Sequence, residues 1–292
     1  MNSRNSYLFV NPLSGHYSSR RFASLLNGLC NIGVDPKVFQ VRTPTEIFEY
    51  CKEINEDDQP RLVLVAGGDG TFNAVVNGLN SDTRITLAVL PLGTSNVLAA
   101  EIGIKSVDEA IERIAIGRNK PLTLGTIEFE GRNLRFVLMA GIGLDGRVVR
   151  DVWTIAKRFL KQGAYGLSAL KNVLLWEHNK FELSSKETDL LCHTAIVCNA
   201  SRYGGDFILS PECNPFESGL SAVCITSSKR LAYINSLFEL MIYRIKNCRN
   251  LTRLSGVYFK ISGRYPIQID GDFVGYSPAV ISEHPFFANI IV

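Results

Sequence analysis

The stretch LVLVAGGDGTFNAVVNGL, residues 62–79, most narrows what this chain can fold into. The apolar run from Arg61 to Ala66 reads as a buried strand, three glycines around one acid form a turn, and Phe72, Val75, Val76 and Leu79 then recur with the spacing of a helix face. A turn of this kind gathers backbone N–H groups at a helix N-terminus, where they attract an anion such as phosphate. Gly67, Gly68 and Gly70 let the backbone approach a ligand without Cβ interference. Asp69 sits oddly there, because a bare carboxylate repels phosphate. It fits if Mg²⁺ lies between acid and phosphate, or if the acid faces the hydroxyl that attacks the phosphate. The plainer alternative is an N-cap for a helix beginning near Thr71.

The same rhythm runs through the first 120 or so residues. Tyr7–Val10 reads as a strand, Arg20–Ile32 as a helix with Phe22, Leu25, Leu26 and Leu29 on one face and Gly33 as its stop, and Lys37–Val41 as a second strand. Thr43 opens another helix, Thr86–Leu90 is a further strand, and Ser106 caps VDEAIERIAIG. Alternation of this kind specifies a parallel sheet with helices on both faces. NPLSG (Asn11–Gly15) and PLGTSN (Pro91–Asn96) also follow strands, so three polar glycine turns leave the carboxyl ends of parallel strands, the edge where open α/β sheets bind ligands.

Past Pro121 the alternation gives way to strands joined by turns. LGTIEFEGRNLRFVLMAG reads as one hairpin turning at Glu130–Asn133, and strands recur near 193–199, 220–226, 257–262 and 266–270. Helical inserts are expected at about 150–177 and 229–247. The shift implies a second, mainly antiparallel β domain, giving domains of 1–122 and 123–292 with a cleft between them as the expected site.

Composition removes several classes. A net charge of +3, from 31 basic and 28 acidic residues, gives no reason to expect nucleic-acid binding. The opening MNSRNSYLFVNP carries no secretory apolar region, so a cytoplasmic location is expected, and LAYINSLFELMIYRI (231–245) is too short to span a bilayer. Seven scattered cysteines without a Cys-x-x-Cys pair read as reduced, mostly buried thiols. No Walker motif, G-x-S-x-G or H-E-x-x-H occurs. GIGLDG (Gly141–Gly146) matches a dinucleotide fingerprint, but no acid lies between Asp151 and Glu177 and no βαβ unit surrounds it, so it reads as a decoy.

Taken in order, NPLSG, GGDGTFNAVVNGL, PLGTSN, NASRYGGDFILSP and IQIDGD resemble the bacterial diacylglycerol kinase-like lipid kinases, a family that includes sphingosine and ceramide kinases. The resemblance implies an α/β fold in two parts: an N-terminal Rossmann-like nucleotide-binding domain and a C-terminal antiparallel β-sandwich with helical inserts, the last ten or so residues returning to the first domain. It also implies ATP and Mg²⁺, with a lipid alcohol such as diacylglycerol as acceptor. Carried onto this chain, Asn11, Ser14 and Gly15 would line the phosphate end of ATP above Gly67, Gly68, Gly70 and Thr71; Thr94 and Asn96 complete the pocket, and Arg21 matches a phosphate-side cation or is simply an exposed helix charge. Asp69 would hold the metal with the ATP phosphates. Asp270 matches the acid proposed as general base in bacterial members, whereas the sphingosine kinase branch assigns that role to the acid at Asp69, so both are candidates. Read alone, Asp270 is also what a plain Asp-Gly hairpin turn would carry.

The chain departs from the family at Ala74, Val97 and Asp272, where Glu, Asp and Glu are usual. It departs again at Thr123 and at Glu217-Ser218, positions that serve a second Mg²⁺ site in some members, which leaves Glu217 as the remaining acid for such a site. An NAD kinase-like enzyme, or a member that binds nucleotide or lipid with impaired turnover, are the alternatives. Reversible, peripheral attachment to the inner face of the membrane is expected through Arg147–Trp176, where Lys157, Arg158 and Lys161 lie near Trp153, Ile155, Phe159 and Leu160. An amphipathic helix packed on the β domain would show the same pattern.

Overall fold

A computed structural model describes residues 5–156, 180–205, 207–226 and 251–292. The chain divides into two compact units, one comprising residues up to Thr123 together with Pro285–Val292, the other Leu124–His284.

In the first unit β1 (Asn5–Val10), α1 (Ser19–Asn31), β2 (Lys37–Gln40), α2 (Pro44–Glu56), β3 (Arg61–Gly67), α3 (Asp69–Gly78), β4 (Ile85–Pro91), α4 (Val97–Glu101) and α5 (Val107–Ile116) follow one another. The strands pair in parallel in the order β2-β1-β3-β4, as the alternation requires. Every residue of β3 is buried, which is why its sequence reads as an unbroken apolar run. Ser18, Thr43 and Ser106 cap α1, α2 and α5 through their side-chain oxygens, and Pro44 occupies the first turn of α2. Residues 285–292 belong to this unit: Asn289 and Ile290 pair in parallel with Thr86 and Leu87. The five-residue helix α4 has no apolar period to announce it in the sequence.

The second unit holds most of β5 (Asn119–Phe129), then β6 (Arg132–Phe136), β7 (Met139–Gly143), α6 (Leu144–Ala156), β8 (Phe181–Ser184), β9 (Asp189–Cys192), β10 (Thr194–Cys198), β11 (Arg202–Tyr203), β12 (Phe207–Ile208), β13 (Leu220–Ile225), β14 (Leu251–Gly256), β15 (Tyr258–Ile261), β16 (Pro266–Ile269), β17 (Asp272–Tyr276) and the first half of β18 (Ala279–Ile291). One sheet runs β14-β13-β10-β7-β16-β17, antiparallel throughout. The β5–β6 hairpin and the strands β8, β9, β15 and β18 supply the opposing layer. Between the layers lie Ile127, Phe129, Phe136, Ile142, Phe181, Val197, Phe259 and Ile281, all buried, so this is a β-sandwich core.

Two sequence readings are corrected. LGTIEFEGRNLRFVLMAG is not one hairpin: β5 and β6 turn tightly at Glu130–Gly131, both with positive φ, and the chain then breaks at Val137–Leu138 before β7 joins the other sheet. The first helical insert begins at Leu144, not near 150. The rest of that insert, with Lys157, Arg158 and Lys161, and the insert at 229–247 lie outside the described residues. No helix among the described residues is long and apolar enough to cross a membrane.

Candidate active site

β1, β3 and β4 end level with one another, because Val10 pairs with Ala66 and Gly67 with Pro91. The three glycine turns therefore leave the sheet side by side, and they are bonded together. Asn11 closes the first: its Oδ1 accepts the Leu13 N–H at 2.9 Å, its carbonyl accepts the Ser14 N–H at 3.1 Å, and its Nδ2 donates to Thr71 Oγ1 at 3.2 Å. The Gly67 carbonyl accepts the N–H groups of Leu92 and Gly93 at 3.0 and 3.1 Å. His16 donates its N–H to the Leu92 carbonyl at 2.9 Å, and its Nδ1 lies 2.6 Å from the Gly93 carbonyl, which can only accept, so Nδ1 carries the proton.

Close approach is what the glycines are for. A Cβ on Gly68 would stand 3.2 Å from Gly93 Cα, one on Gly93 would stand 2.4 Å from Gly68 Cα, and one on Gly15 would stand 2.6 Å from Thr94 Oγ1. Ser14 is half-buried in this cradle, Thr71 is buried, and Gly70 and Thr94 are exposed. Asn96 adopts the left-handed conformation, where asparagine is tolerated, and its amide grips Gly93 from both sides, Oδ1 on the N–H at 2.8 Å and Nδ2 on the carbonyl at 2.9 Å. Arg21 is exposed on α1 and donates to the His16 carbonyl at 2.9 Å, which ties it to the first turn.

Helix α3 starts after Gly68, which offers no side-chain cap, unlike the residues that precede α1, α2 and α5. Asp69 does not cap that helix, as the plainer sequence reading had it. Its carboxylate reaches across to α4 and accepts the N–H groups of Val97 (Oδ2, 3.0 Å) and Leu98 (Oδ1, 3.0 Å). The two amide donors fix the orientation of the carboxylate. A carboxylate offers about four acceptor positions, so a site held this way can still ligate a cation. Val97 itself is buried.

In the second unit, Asp270 and Gly271 form the two-residue turn between β16 and β17, both with positive φ. The carboxylate does more than a hairpin turn needs. It accepts the N–H groups of Val137 (Oδ2, 2.8 Å), Leu138 (Oδ1, 2.9 Å) and Met139 (Oδ1, 2.9 Å), the segment where the chain passes from one sheet to the other. Asn199 supports the same segment from the other side, its Nδ2 donating to the Val137 carbonyl at 2.7 Å and its N–H to the Leu138 carbonyl at 2.8 Å. The break between β6 and β7 is thus paired by the side chains of Asp270 and Asn199 together with backbone N–H groups of the adjoining loops.

Glu217 accepts from Asn214 Nδ2 at 2.9 Å, while Ser218 donates to Glu283 at 2.7 Å. Among the described residues no group of three His, Cys, Asp or Glu side chains is placed to hold a metal ion. His16 and Asn199 were not singled out from the sequence; the available signals were the position of His16 directly after NPLSG and that of Asn199 at the head of NASRYGGDFILSP, and the fold supplies the partners of Asn199.

Two family models match the chain: the diacylglycerol kinase catalytic domain over residues 5–127, and the YegS C-terminal NAD kinase beta sandwich-like domain over residues 139–292. The chain belongs to this diacylglycerol kinase-like family of lipid kinases, phosphotransferases with an alcohol acceptor. It is 25% identical to a diacylglycerol kinase of Bacillus subtilis (strain 168), covering 93% of this chain and 90% of the relative. It is 24% identical to the "Putative lipid kinase YtlR" of the same organism, over 96% of each. The crystal structure of a putative diacylglycerol kinase from Bacillus anthracis str. Sterne superposes with a TM-score of 0.79 at 21% identity, covering 100% of this chain and 98% of the other, which shows a shared fold.

Proposed function

We propose that this kinase transfers the γ-phosphate of ATP, with Mg²⁺, to the hydroxyl of a lipid such as diacylglycerol. The observation that carries this reading is the cradle itself: three glycine turns bonded together beside the start of α3, with the Asp69 carboxylate fixed at its edge by two backbone amides. The residues fit the ligands the family uses. Backbone at Ser14, Gly15, Gly68 and Gly70 can approach phosphate closely, Asn11 and Thr71 shape the floor, Thr94 and Asn96 set the far wall, and Arg21 supplies positive charge. Asp69 would hold Mg²⁺, which when bound offsets charge on the phosphates.

Phosphoryl transfer of this type asks the protein mainly for positioning, with one carboxylate taking the alcohol proton as the bond forms. We assign that role to Asp270, whose orientation three amides define. An acceptor that stays in the bilayer also requires the enzyme to visit the membrane surface reversibly; flotation with anionic and neutral vesicles at two salt concentrations tests this, and no co-flotation with either would refute it. The reaction is tested by incubating enzyme with γ-labelled ATP and a total lipid extract, with and without Mg²⁺, and identifying product by mass. Label in a phospholipid only when Mg²⁺ is present is the expected result. Binding of ATP without labelled lipid would overturn it in favour of a non-catalytic member.

A further inference from the structure

GIGLDG, the glycine motif that reads as a decoy for a dinucleotide fingerprint, has a structural role of its own. It spans the junction of β7 and α6, and its acid is buried. Asp145 Oδ2 accepts from Gln268 Nε2 at 2.7 Å, and Oδ1 accepts from the Tyr203 hydroxyl. Gln268 lies on β16 directly opposite Gly141 on β7. A Cβ at Gly141 would stand 1.7 Å from Asp145 Oδ2 and 2.6 Å from Gln268 Nε2, so glycine at 141 is the condition for this bond to exist. Gly146, whose Cβ would stand 2.3 Å from the Pro266 carbonyl, lets α6 pack against β16 closely enough to bring Asp145 there.

The other end of the Gln268 side chain explains the arrangement. Its Oε1 accepts the Gly271 N–H at 2.8 Å, inside the turn that carries Asp270. A carboxylate can only accept, so Asp145 forces the Gln268 amide to present Nε2 inward and leaves Oε1 for Gly271. Burial pushes the Asp145 carboxyl upward, and the bonds from Tyr203 and Gln268 oppose that rise.

We propose that Asp145 is a positioning residue: through Gln268 it locks the Asp270–Gly271 turn, and so the direction of the Asp270 carboxylate, with Tyr203 holding Asp145 in place. This rests on the reading of Asp270 as the base, and the two can be tested apart.

The experiment exchanges the polarity of the pair. Gln268→Glu sets two carboxyl groups face to face; Asp145→Asn combined with Gln268→Glu lets an asparagine donate to a glutamate that still accepts from Gly271. Two quantities are read: kcat with the KM for ATP, and hydrogen exchange at the amides of Gly271 and Val137–Met139. Gln268→Glu is expected to lower kcat at least ~10-fold, leave KM for ATP within about threefold, and speed exchange at Gly271; the double variant is expected to recover both readouts to within about threefold of wild type. Should Gln268→Glu fail to fold, Tyr203→Phe serves instead, with a kcat loss of about threefold and faster exchange at Gly271 expected. Wild-type exchange and kcat in either single variant, or a folded double variant no better than the single one, overturns the proposal. Faster exchange without loss of kcat would sink Asp270 as base while leaving the lock itself in place, and so would an unchanged kcat in Asp270→Asn.

Discussion

Asp69 and Asp270 solve one problem in two ways. Both are carboxylates fixed by backbone N–H groups, two from the start of α4 for Asp69 and three from the crossover at Val137–Met139 for Asp270. Asp69 finds its donors 28 and 29 residues away, in the helix that follows the third of three turns leaving one edge of a parallel sheet. Asp270 finds its donors more than 130 residues away, at a place where the chain changes sheets. An acid in the first situation belongs to a repeating supersecondary unit. An acid in the second depends on the closing of a whole sandwich, and its loss disturbs a crossover as well as the proposed reaction.

That contrast is broken most sharply at Asp69. Asparagine would remove the charge proposed to hold Mg²⁺ and turn an N–H donor toward one of the α4 amides, so Asp69→Asn is expected to lower kcat by roughly 10³-fold in the labelled-ATP assay. A wild-type rate would remove Asp69 from the reaction.

Asp270→Asn is expected to cost about 10²-fold in kcat with little change in KM for ATP, because a base acts in the transition state. If ATP binding weakens in parallel, the residue serves the crossover alone, and the comparison reduces to one functional acid and one structural one.

A third acid sharpens the scale. Asp82 is held down at about 2, first by hydrogen bonds from Arg84, with help from the buried Arg61. Its folded value lies below the unfolded value of about 3.9, so its stabilisation is complete above about pH 5 and is lost as the pH falls toward 2. Asp82→Asn should lower the unfolding free energy by roughly 2 kcal/mol at pH 7, and by about half as much at pH 3, in urea melts at the two pH values. An equal deficit at both would show that packing, not charge, is what the substitution removes.

The smallest effect belongs to the most local contact. Ser106 accepts the Glu109 N–H at 3.1 Å to cap α5, and Ser106→Ala is expected to cost about 1 kcal/mol by the same urea melts, with no change in kcat. A loss of kcat beyond what the unfolded fraction explains would mean that α5 feeds into the cradle.

How far each part could be read in advance follows the same scale. The alternating elements of the first unit, its caps and its three turns were legible because each is a short-range pattern: an apolar run, a serine or threonine before a helix, a glycine after a strand. The second unit was legible only as antiparallel strands. Two of its turns carry an acid followed by glycine with positive φ at both residues, Glu130–Gly131 and Asp270–Gly271, and nothing local tells them apart. Yet Glu130 is exposed and pairs with Arg132 two residues on, while Asp270 binds the distant crossover.

The sequence by itself determined the α/β class, the parallel sheet of the first unit, the place of the three glycine turns and the identity of their glycines, since periodicity and turn chemistry are set by neighbours along the chain. Only the tertiary structure decided that Asp69 caps α4 and not its own helix, that the hairpin predicted through Gly141 breaks at Val137–Leu138, and that the glycines of GIGLDG make room for a buried carboxyl group. Each of these depends on which backbone amides and side chains meet across the sheets, and a hydrogen bond between residues a hundred positions apart leaves no periodic trace in the sequence that makes it.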